Sequence, residues 1–453
     1  EDTPMSVSRD SVLHARTTEV TEHITPARDI WTPVSYKADG PLAEYWACRE
    51  AVTLQDMSGL RKYDVIGPDA EHLLQRLITR DVARLPNWRG TYALICDDTG
   101  AVVDDGTLFR LGPHLFRWCC GTEESARRIE AVAKSENLQA RVVDMSNALV
   151  NMALQGPKSR DVLSGLIFTQ PHVPKLEDMK WFGVTIARLN DRDGTPFMLS
   201  RSGYTGELGY EVFAADDDAG RLWDALIEAG AEHGIRPMGT AALEMIRIEA
   251  GLAASGAEFA PGHDAWEAGL GFAVNLKKAD FIGKAALERN ARDPRRILKG
   301  LKFEGNDVPR AGAPVLAGER DVGHITSATL SPTLGAAIAM VRLAVEHAET
   351  GNRLDVGMMD GRMKRLPATV CDIPFVDPKR ERARACLKPA QSSSKWRKRP
   401  LKKVHQLCVT RLVQLRLRDR CYHDPDQHTE PCRSTDQIRR VSPHAPLPSA
   451  DTD

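Results

Sequence analysis

The 453-residue chain lacks the features that mark membrane-spanning and secreted proteins. No stretch of the sequence approaches the roughly 18 apolar residues that a helix needs to cross a bilayer. The first thirty residues, Glu1 to Ile30, are polar and charged and contain no apolar segment of a secretory signal. Nine cysteines at scattered spacings do not indicate a disulfide framework. These absences predict a cytoplasmic protein whose thiols are reduced.

A dinucleotide-binding signature is also absent. No Gly-x-Gly-x-x-Gly follows a predicted strand, so a flavin would have to be carried by a separate subunit. What is present, 42% hydrophobic and 27% charged residues, is typical of a soluble globular chain. A chain of this length is expected to form two or three packed units with extensions.

The apolar pattern predicts an α+β fold, because helices alternate with short strands and the long apolar runs of a parallel sheet are missing. Asp69 is placed as the N-cap of one predicted helix, in which apolar residues recur at helical spacing. In the first third of the chain, helices are predicted at 45–52, 70–78 and 123–136 and strands at 63–66, 91–96, 102–109 and 115–120.

Composition divides the chain into four predicted segments. Residues 1–30 lack periodicity and are predicted to form an N-terminal arm, followed by a main body at 31–290. Residues 291–377 carry Gly or Pro every few positions, which predicts a small β-barrel unit. A basic tail, 386–453, completes the chain.

The tail differs from the rest of the chain in charge and apolar content. From Cys386 onward there are 14 Lys and Arg against 7 Asp and Glu. Sparse apolar residues and scattered prolines predict disorder and a solvated tail, with nucleic-acid binding as the less favoured interpretation. No metal site is predicted, because the only candidate quartet matches no standard finger spacing. That quartet is Cys421, His423, His428 and Cys432.

The most informative stretch runs from Arg201 to Glu211, with the sequence RSGYTGELGYE. Apolar, β-prone residues precede and follow it, and three glycines punctuate it, which predicts two strands joined by a tight connection. A plain hairpin with glycines at positive φ is one interpretation. It leaves unexplained why an Arg, a Tyr and two Glu crowd into one turn region.

This stretch resembles the signature of the T-protein (aminomethyltransferase) family of folate-dependent one-carbon transferases. Further segments are similar to the same family, so the resemblance covers roughly Trp31 to Phe375. It implies a T-protein-like multi-unit fold with tetrahydrofolate as cofactor. Residues 31–290 would then be the folate-binding catalytic region and 291–377 the C-terminal barrel. The further segments are 154–157, 247–252, 281–287, 323–327 and 331–335.

Two adjacent carboxylates, Asp104 and Asp105, stand on the predicted strand 102–109. Because side chains alternate along a strand, one is expected to point inward and the other into solvent. By themselves they could be an ordinary acidic turn. The family resemblance implies that Asp105 lies beside the reacting folate nitrogens and shuttles a proton.

Four more site residues follow from the resemblance. Glu211 would accept hydrogen bonds from the 2-amino and N3–H groups of the pterin. Tyr204 and Tyr92 would line the same pocket, as aromatic walls suit a flat ring. Arg201 is a candidate cation for the folate tail, with Arg247 as an alternative.

Three positions depart from the family pattern. Leu243 stands where glycine-cleavage T-proteins carry an arginine near the folate tail, Leu252 replaces a tyrosine, and Cys119 replaces an asparagine. These differences favour a relative that takes a methyl group from a small amine, onium or ether donor. An aminomethyl group on a lipoyl carrier protein is the other donor that the resemblance allows.

Two further functions remain open. A non-catalytic folate-binding assembly or RNA-maintenance factor of the same superfamily carries Lys-Gly-Cys-Tyr-x-Gly-Gln where this chain has Tyr-Thr-Gly-Glu, which argues against that class. The folate-binding half of a flavin amine oxidase is the other alternative. Sequence alone identifies neither the donor nor the oligomeric state.

Overall fold

A computed structural model describes residues 10–37, 40–359, 361 and 364–385. The predicted tail, its Cys/His quartet and the first nine residues lie outside these ranges. Within them, no helix is long and apolar enough to cross a membrane, and the cysteines Cys48, Cys96, Cys119, Cys120 and Cys371 are free thiols.

The described residues form nine α-helices and twenty strands. The helices are α1 (His14–Thr18), α2 (Gly40–Glu50), α3 (Ala70–Leu77), α4 (Glu124–Ser135), α5 (Ser159–Ser164), α6 (Asp216–Gly230), α7 (Thr240–Glu249), α8 (Lys284–Arg292) and α9 (Glu381–Arg384). The strands are β1 (Thr21–Ala27), β2 (Ile30–Tyr36), β3 (Val52–Asp56), β4 (Arg61–Ile66), β5 (Arg89–Cys96), β6 (Val102–Gly112), β7 (Leu115–Cys120), β8 (Arg141–Asp144), β9 (Leu149–Gln155), β10 (Ile167–Thr169), β11 (Val184–Leu189), β12 (Pro196–Ser200), β13 (Gly209–Ala215), β14 (Ile235–Pro237), β15 (Arg296–Phe303), β16 (Pro314–Ala317), β17 (Arg320–Ser331), β18 (Ala336–Ala344), β19 (Arg353–Gly357) and β20 (Arg365–Cys371).

The strands assemble into a hairpin, two sheets and a barrel. A five-stranded sheet has the order β5-β6-β7-β4-β8, and a seven-stranded sheet has the order β10-β11-β12-β13-β9-β3-β14. Strands β15-β18-β17-β16-β19-β20 close into a barrel. The predicted α+β class and the C-terminal β-barrel are confirmed.

The five-stranded sheet buries one face against α3 and α4. Leu73 and Leu77 of α3 and Ile129 of α4 pack on Leu108 and Trp118 of the sheet, as the helical spacing of the apolar residues predicts.

The capping role predicted for Asp69 is wrong in detail. Asp69 stands at the N-cap position of α3, but its side chain makes no capping hydrogen bond. The carboxylate instead accepts the backbone N–H of Gln139, at 2.7 Å. The packing of a distant loop therefore uses the acceptor that the local pattern assigned to the helix.

The seven-stranded sheet packs α6 on one face and the five-stranded sheet on the other. Leu222 and Leu226 of α6 lie against Leu199 and Val212. On the opposite face, a contact between the rings of Phe109 and Phe213, with centroids 5.7 Å apart, joins the two sheets. We call the space between the two sheets, which Phe109, Cys119, Met198 and Phe213 border, the interlayer.

The predicted tight turn between β12 and β13 is an eight-residue loop, 201–208. The strands separate after Ser200, which pairs with Glu211. Of the glycines in the motif, Gly206 has a positive φ of 74°. Gly203 and Gly209 are required for another reason, since a Cβ at either position would overlap the side chain of Gln155.

The described part of the predicted N-terminal arm has regular structure. Residues 14–18 form α1, Leu13 is buried in the core of the seven-stranded sheet, and β1 pairs with β2 as a hairpin whose turn is Arg28-Asp29. The division of the chain at residue 30 stays a prediction.

Candidate functional site

Two carboxylates open toward the interlayer. Asp105 lies four residues before Phe109 on β6, and Glu211 lies two residues before Phe213 on β13. Because side chains an even number of residues apart share a strand face, both carboxylates point to the side on which the two phenylalanines meet. The fold thus brings together two of the predicted site residues from different sheets.

Asp105 is hydrogen-bonded to a second predicted residue. The hydroxyl of Tyr92, on the neighbouring strand β5, donates to Asp105 Oδ2 at 2.8 Å. Burial and the adjacent Asp104 carboxylate raise the pKa of Asp105 to about 6, against the lowering effect of the Tyr92 hydrogen bond. A carboxyl group with a pKa near 6 can accept or release a proton at neutral pH, as general acid–base chemistry requires.

Asp104 faces the opposite side of the sheet and is fully buried, so the expectation that it meets solvent is wrong. Its carboxylate accepts five hydrogen bonds, from the backbone N–H groups of Asp105, Gly121 and Thr122 and from the hydroxyls of Thr122 and Ser125. Apart from the N–H of Asp105, these donors lie in and just before the first turn of α4. This explains the burial, because the helix N-terminus covers the strand and supplies partners for a negative charge.

Glu211 accepts hydrogen bonds from two protein donors. The amide of Asn151 donates to Oε1 at 3.3 Å, and the hydroxyl of Ser202 donates to Oε2. Burial raises the pKa of Glu211 despite these two hydrogen bonds. A carboxylate with this environment gains from any further N–H donor that approaches it, because such charge-assisted bonds are strong in a desolvated site.

Tyr204 reaches the same region from the loop 201–208. Its hydroxyl donates to the carbonyl of Ala253 at 2.5 Å. Burial raises the pKa of the Tyr204 hydroxyl, and the Asp105 carboxylate adds to the increase, so the two side chains are close enough to interact electrostatically. The side chains of Tyr92 and Tyr204 therefore both interact with the Asp105 carboxylate.

In the structure, Arg201 donates hydrogen bonds to three backbone carbonyl groups. Its buried guanidinium donates to the carbonyls of Met179, Ala383 and Ala385, at 2.8, 3.2 and 2.7 Å. It thereby ties the motif loop to the segment that includes α9. A contact between Arg201 and a folate tail stays a prediction.

The alternative cation, Arg247, is also engaged within the protein. It is buried and pairs with Glu244 and Glu258, at 2.5 and 2.8 Å. Leu243, which the family resemblance places where an arginine is expected, packs against the cluster around Tyr45.

The other glutamate of the motif, Glu207, is part of a buried ion-pair group. It accepts from Arg49 at 2.8 Å and from Arg382 of α9 at 2.6 Å. Arg49 also pairs with Glu249 at 2.6 Å. Removing one partner of such a group leaves a buried charge without compensation, so we assign Glu207 to the stability of the loop.

Cys119 borders both halves of the site. Burial and the Glu211 carboxylate raise the pKa of its thiol to about 12. A thiol that stays protonated is a poor nucleophile. The position at which the family resemblance implies an asparagine therefore carries an inert, weakly polar thiol.

Four residues near the site are absent from the sequence prediction. Asn151 and Ser202 hold Glu211, Arg28 at the hairpin turn lies close enough to lower the pKa of Asp105, and the ring of Phe272 stacks on Tyr92 with centroids 5.8 Å apart. Asn151 could have been found from the sequence, since it is the one polar residue in the run 149–154. Phe272 could not have been found from the sequence, because sequence does not distinguish an exposed aromatic residue from a buried one.

Comparison with known proteins gives a consistent result along most of the chain. Residues 13–278 match the GCVT N-terminal domain, and residues 296–377 match the glycine cleavage T-protein C-terminal barrel domain. An aminomethyltransferase of Symbiobacterium thermophilum is 38% identical over 351 residues, which are 76% of this chain and 90% of that protein.

Two further proteins are similar. A trimethylamine-oxide aldolase of Ruegeria pomeroyi is 42% identical over 386 residues, which are 85% of this chain and 49% of that protein, so the chain spans about half the length of this relative. The crystal structure of the glycine cleavage system aminomethyltransferase T from Bartonella henselae superimposes with a TM-score of 0.73 at 26% identity, covering 82% of this chain and 98% of that one.

Proposed function

The chain belongs to the glycine cleavage T-protein family, and from this membership we propose that it is a tetrahydrofolate-dependent one-carbon transferase. It moves a methyl or aminomethyl carbon from an amine, onium or ether donor to N5 of the folate. Asp105 is the proton carrier and Glu211 holds the pterin.

One observation carries this proposal: two carboxylates with raised pKa values, from different sheets, face one interlayer beside two tyrosines. Carboxyl groups with perturbed pKa values are concentrated at functional sites. The residues also fit a pterin, since Asn151 Oδ1 is buried and accepts no hydrogen bond from the described residues. A ring with several N–H donors suits this acceptor and Glu211 together.

The bound folate supplies a nucleophilic nitrogen that takes the carbon unit. Asp105 accepts or returns the proton that this exchange displaces, and its pKa near 6 keeps both protonation states accessible at neutral pH. Tyr92 orients the carboxylate through its 2.8 Å hydrogen bond. Glu211, fixed by Asn151 and Ser202, sets the ring so that the reacting nitrogen faces Asp105.

The donor is proposed from two considerations. Leu243 and Leu252 replace the polar residues of glycine-cleavage T-proteins, and one of the most similar relatives is named a trimethylamine-oxide aldolase. Both favour a small methylated amine or amine oxide over an aminomethyl lipoyl carrier. Since the chain spans about half of that relative, the donor of the relative is not transferred as such.

A cation for the folate tail is proposed at Arg80. Its Nη1 donates to the carbonyl of Phe272 at 3.1 Å and its Nε to Thr91 Oγ1 at 3.3 Å. In the described part of the chain Arg80 forms no ion pair, and burial lowers the pKa of its guanidinium. Phe272 is 62% exposed and its ring stacks on Tyr92, so a series of contacts connects Arg80, Phe272, Tyr92 and Asp105. This order matches the order of pterin, benzoyl ring and carboxylates in folate.

The proposed function is tested with tetrahydrofolate and a panel of donors: a tertiary amine, an amine oxide, a sulfonium compound, a methyl ether and an aminomethyl-loaded lipoyl carrier. We expect turnover with one small donor, and product analysis distinguishes methyl transfer, which yields 5-methyltetrahydrofolate, from transfer as 5,10-methylenetetrahydrofolate. Tight folate binding without turnover on any donor would favour the non-catalytic alternative. Absence of folate binding would refute the proposal.

A further inference from the structure

Gln55 is a buried polar residue without the partners that such residues normally have. Its side chain on β3 is only 3% exposed, and its Oε1 has no hydrogen-bond donor among the described residues. In folded proteins the large majority of buried side-chain polar atoms are hydrogen-bonded, so an unpaired carboxamide oxygen calls for an explanation.

Strand alternation shows which way Gln55 points. Val52 and Leu54, its neighbours on β3, belong to the core under α6. Gln55 therefore lies on the other face of the sheet, the face that Phe213 of β13 presents to the interlayer.

The register of three strands places Gln55 in one row with Glu211. Gln55 pairs with Ala153 of β9, and Ala153 pairs with Glu211 of β13. Neighbouring strands lie about 4.8 Å apart, so the Cα atoms of Gln55 and Glu211 are separated by roughly 10 Å. The residue between them is an alanine, whose side chain extends no further than Cβ above the sheet.

We propose that Gln55 is a further pterin-binding residue, whose carboxamide hydrogen-bonds the edge of the ring opposite the edge held by Glu211, with Ala153 as the floor beneath the ring. This inference rests on the proposed folate-binding function and deepens it. It predicts that both ends of the row, and the small residue at its centre, contribute to binding the ring itself.

Gln155 provides a matched contrast on the same sheet face. Its Nε2 donates to the carbonyls of Ser202 and Tyr210, at 3.1 and 3.2 Å, and its Oε1 accepts from Thr205 at 2.8 Å. A buried glutamine with these partners supports the fold. The Oε1 of Gln55 has no such partner among the described residues and is available to a ligand.

The test compares Gln55→Leu with Gln155→Leu. Calorimetry with tetrahydrofolate, and with a tetrahydropterin that lacks the benzoyl-glutamate tail, is combined with urea unfolding of the ligand-free protein. For Gln55→Leu we expect affinity for both ligands to fall about tenfold, while the urea midpoint stays equal or rises because an unpaired polar group is removed. For Gln155→Leu we expect a lower urea midpoint.

A second variant makes the test independent of Gln55. Ala153→Val places two methyl groups under the ring and is compatible with a strand, so we expect it to weaken the binding of both ligands by a similar factor. If Ala153→Val weakened the binding of both ligands while Gln55→Leu bound them as the wild type does, the assignment of Gln55 would be overturned.

The remaining outcomes separate this inference from the proposed function. Unchanged affinity of Gln55→Leu for both ligands overturns the inference, and leaves the proposed function standing if Glu211→Gln still weakens binding. A fall in folate affinity with unchanged affinity for the tail-less pterin also overturns it, because the contact would then be to the tail. If the wild-type protein binds neither ligand, the proposed function fails and this inference with it.

Discussion

Changing each of the two neighbouring aspartates of β6 to asparagine should affect different properties of the protein. Asp105→Asn keeps the size of the side chain and a hydrogen-bonding partner for Tyr92, but it removes the group that carries the proton. General acid–base assistance is worth ~10²–10⁴ in rate, so the single-turnover rate of carbon transfer to tetrahydrofolate should fall by about that factor. Folate affinity should change little, because the pterin contact is assigned elsewhere.

The pKa of Asp105 adds a prediction about pH and stability. Its folded-state pKa, about 6, is higher than the ordinary value of 3.8. A raised carboxyl pKa contributes stability that is fully present below about pH 4 and is lost as the pH rises through about 6. At pH 7.5 the asparagine variant avoids this loss, which is on the order of 1–3 kcal/mol. It should therefore unfold at an equal or higher urea concentration than the wild type.

Asp104→Asn should act in the opposite way. If the amide nitrogen replaces Oδ1, the backbone N–H groups of Asp105 and Gly121 face a donor instead of an acceptor. If it replaces Oδ2, the N–H of Thr122 does. Hydrogen bonds to charged groups contribute about 1.5–3 kcal/mol each. We expect unfolding free energy to decrease by roughly 2–4 kcal/mol, with transfer activity retained in the fraction that stays folded.

Urea unfolding and single-turnover transfer, measured on both variants, decide between the two roles. The exposed Asp98, in the turn before β6, gives a control whose change to Asn should alter neither quantity. A stable but inactive Asp104→Asn, or an Asp105→Asn that keeps the wild-type rate, would show that the chemical role has been assigned to the wrong residue.

Three further predictions concern other parts of the molecule. Glu211→Gln should weaken tetrahydrofolate binding by about 2–3 kcal/mol in calorimetry, and equal affinities would remove Glu211 from the site. A chain ending at Ala385 should unfold like the full chain, whereas one ending at Asp377 should unfold at lower urea, because Arg201 loses two carbonyl acceptors. Burial and the neighbouring Arg342 lower the pKa of His263, so stability should decrease as the pH falls below about 6.5. His263→Gln should flatten that dependence, and an unchanged pH profile would contradict it.

The sequence alone determined much of the local structure and the opposite orientation of the two neighbouring aspartates. Apolar spacing located α3, α4 and the strands around them, because the periods of helix and strand follow from backbone geometry. The same strand alternation predicted that Asp104 and Asp105 face opposite sides. The motif 201–211 pointed to the family, and the domain matches and relatives agree with it.

The sequence could not predict which groups form hydrogen bonds with each buried polar side chain. Asp104 was expected in solvent, but α4, which begins some twenty residues later, covers it. The carbonyl partners of Arg201 include Ala383 and Ala385, more than 180 residues away, and no local pattern could have shown them.

Only the tertiary structure decided the row that joins Gln55, Ala153 and Glu211, because it depends on the register of three strands that are distant in the chain. A one-residue slip in either pairing would move a side chain to the other face of the sheet. Period and propensity are properties of neighbouring residues and can be read from sequence. Register and burial depend on the packing of the whole chain, so the final partners of each polar group appear only in the folded molecule.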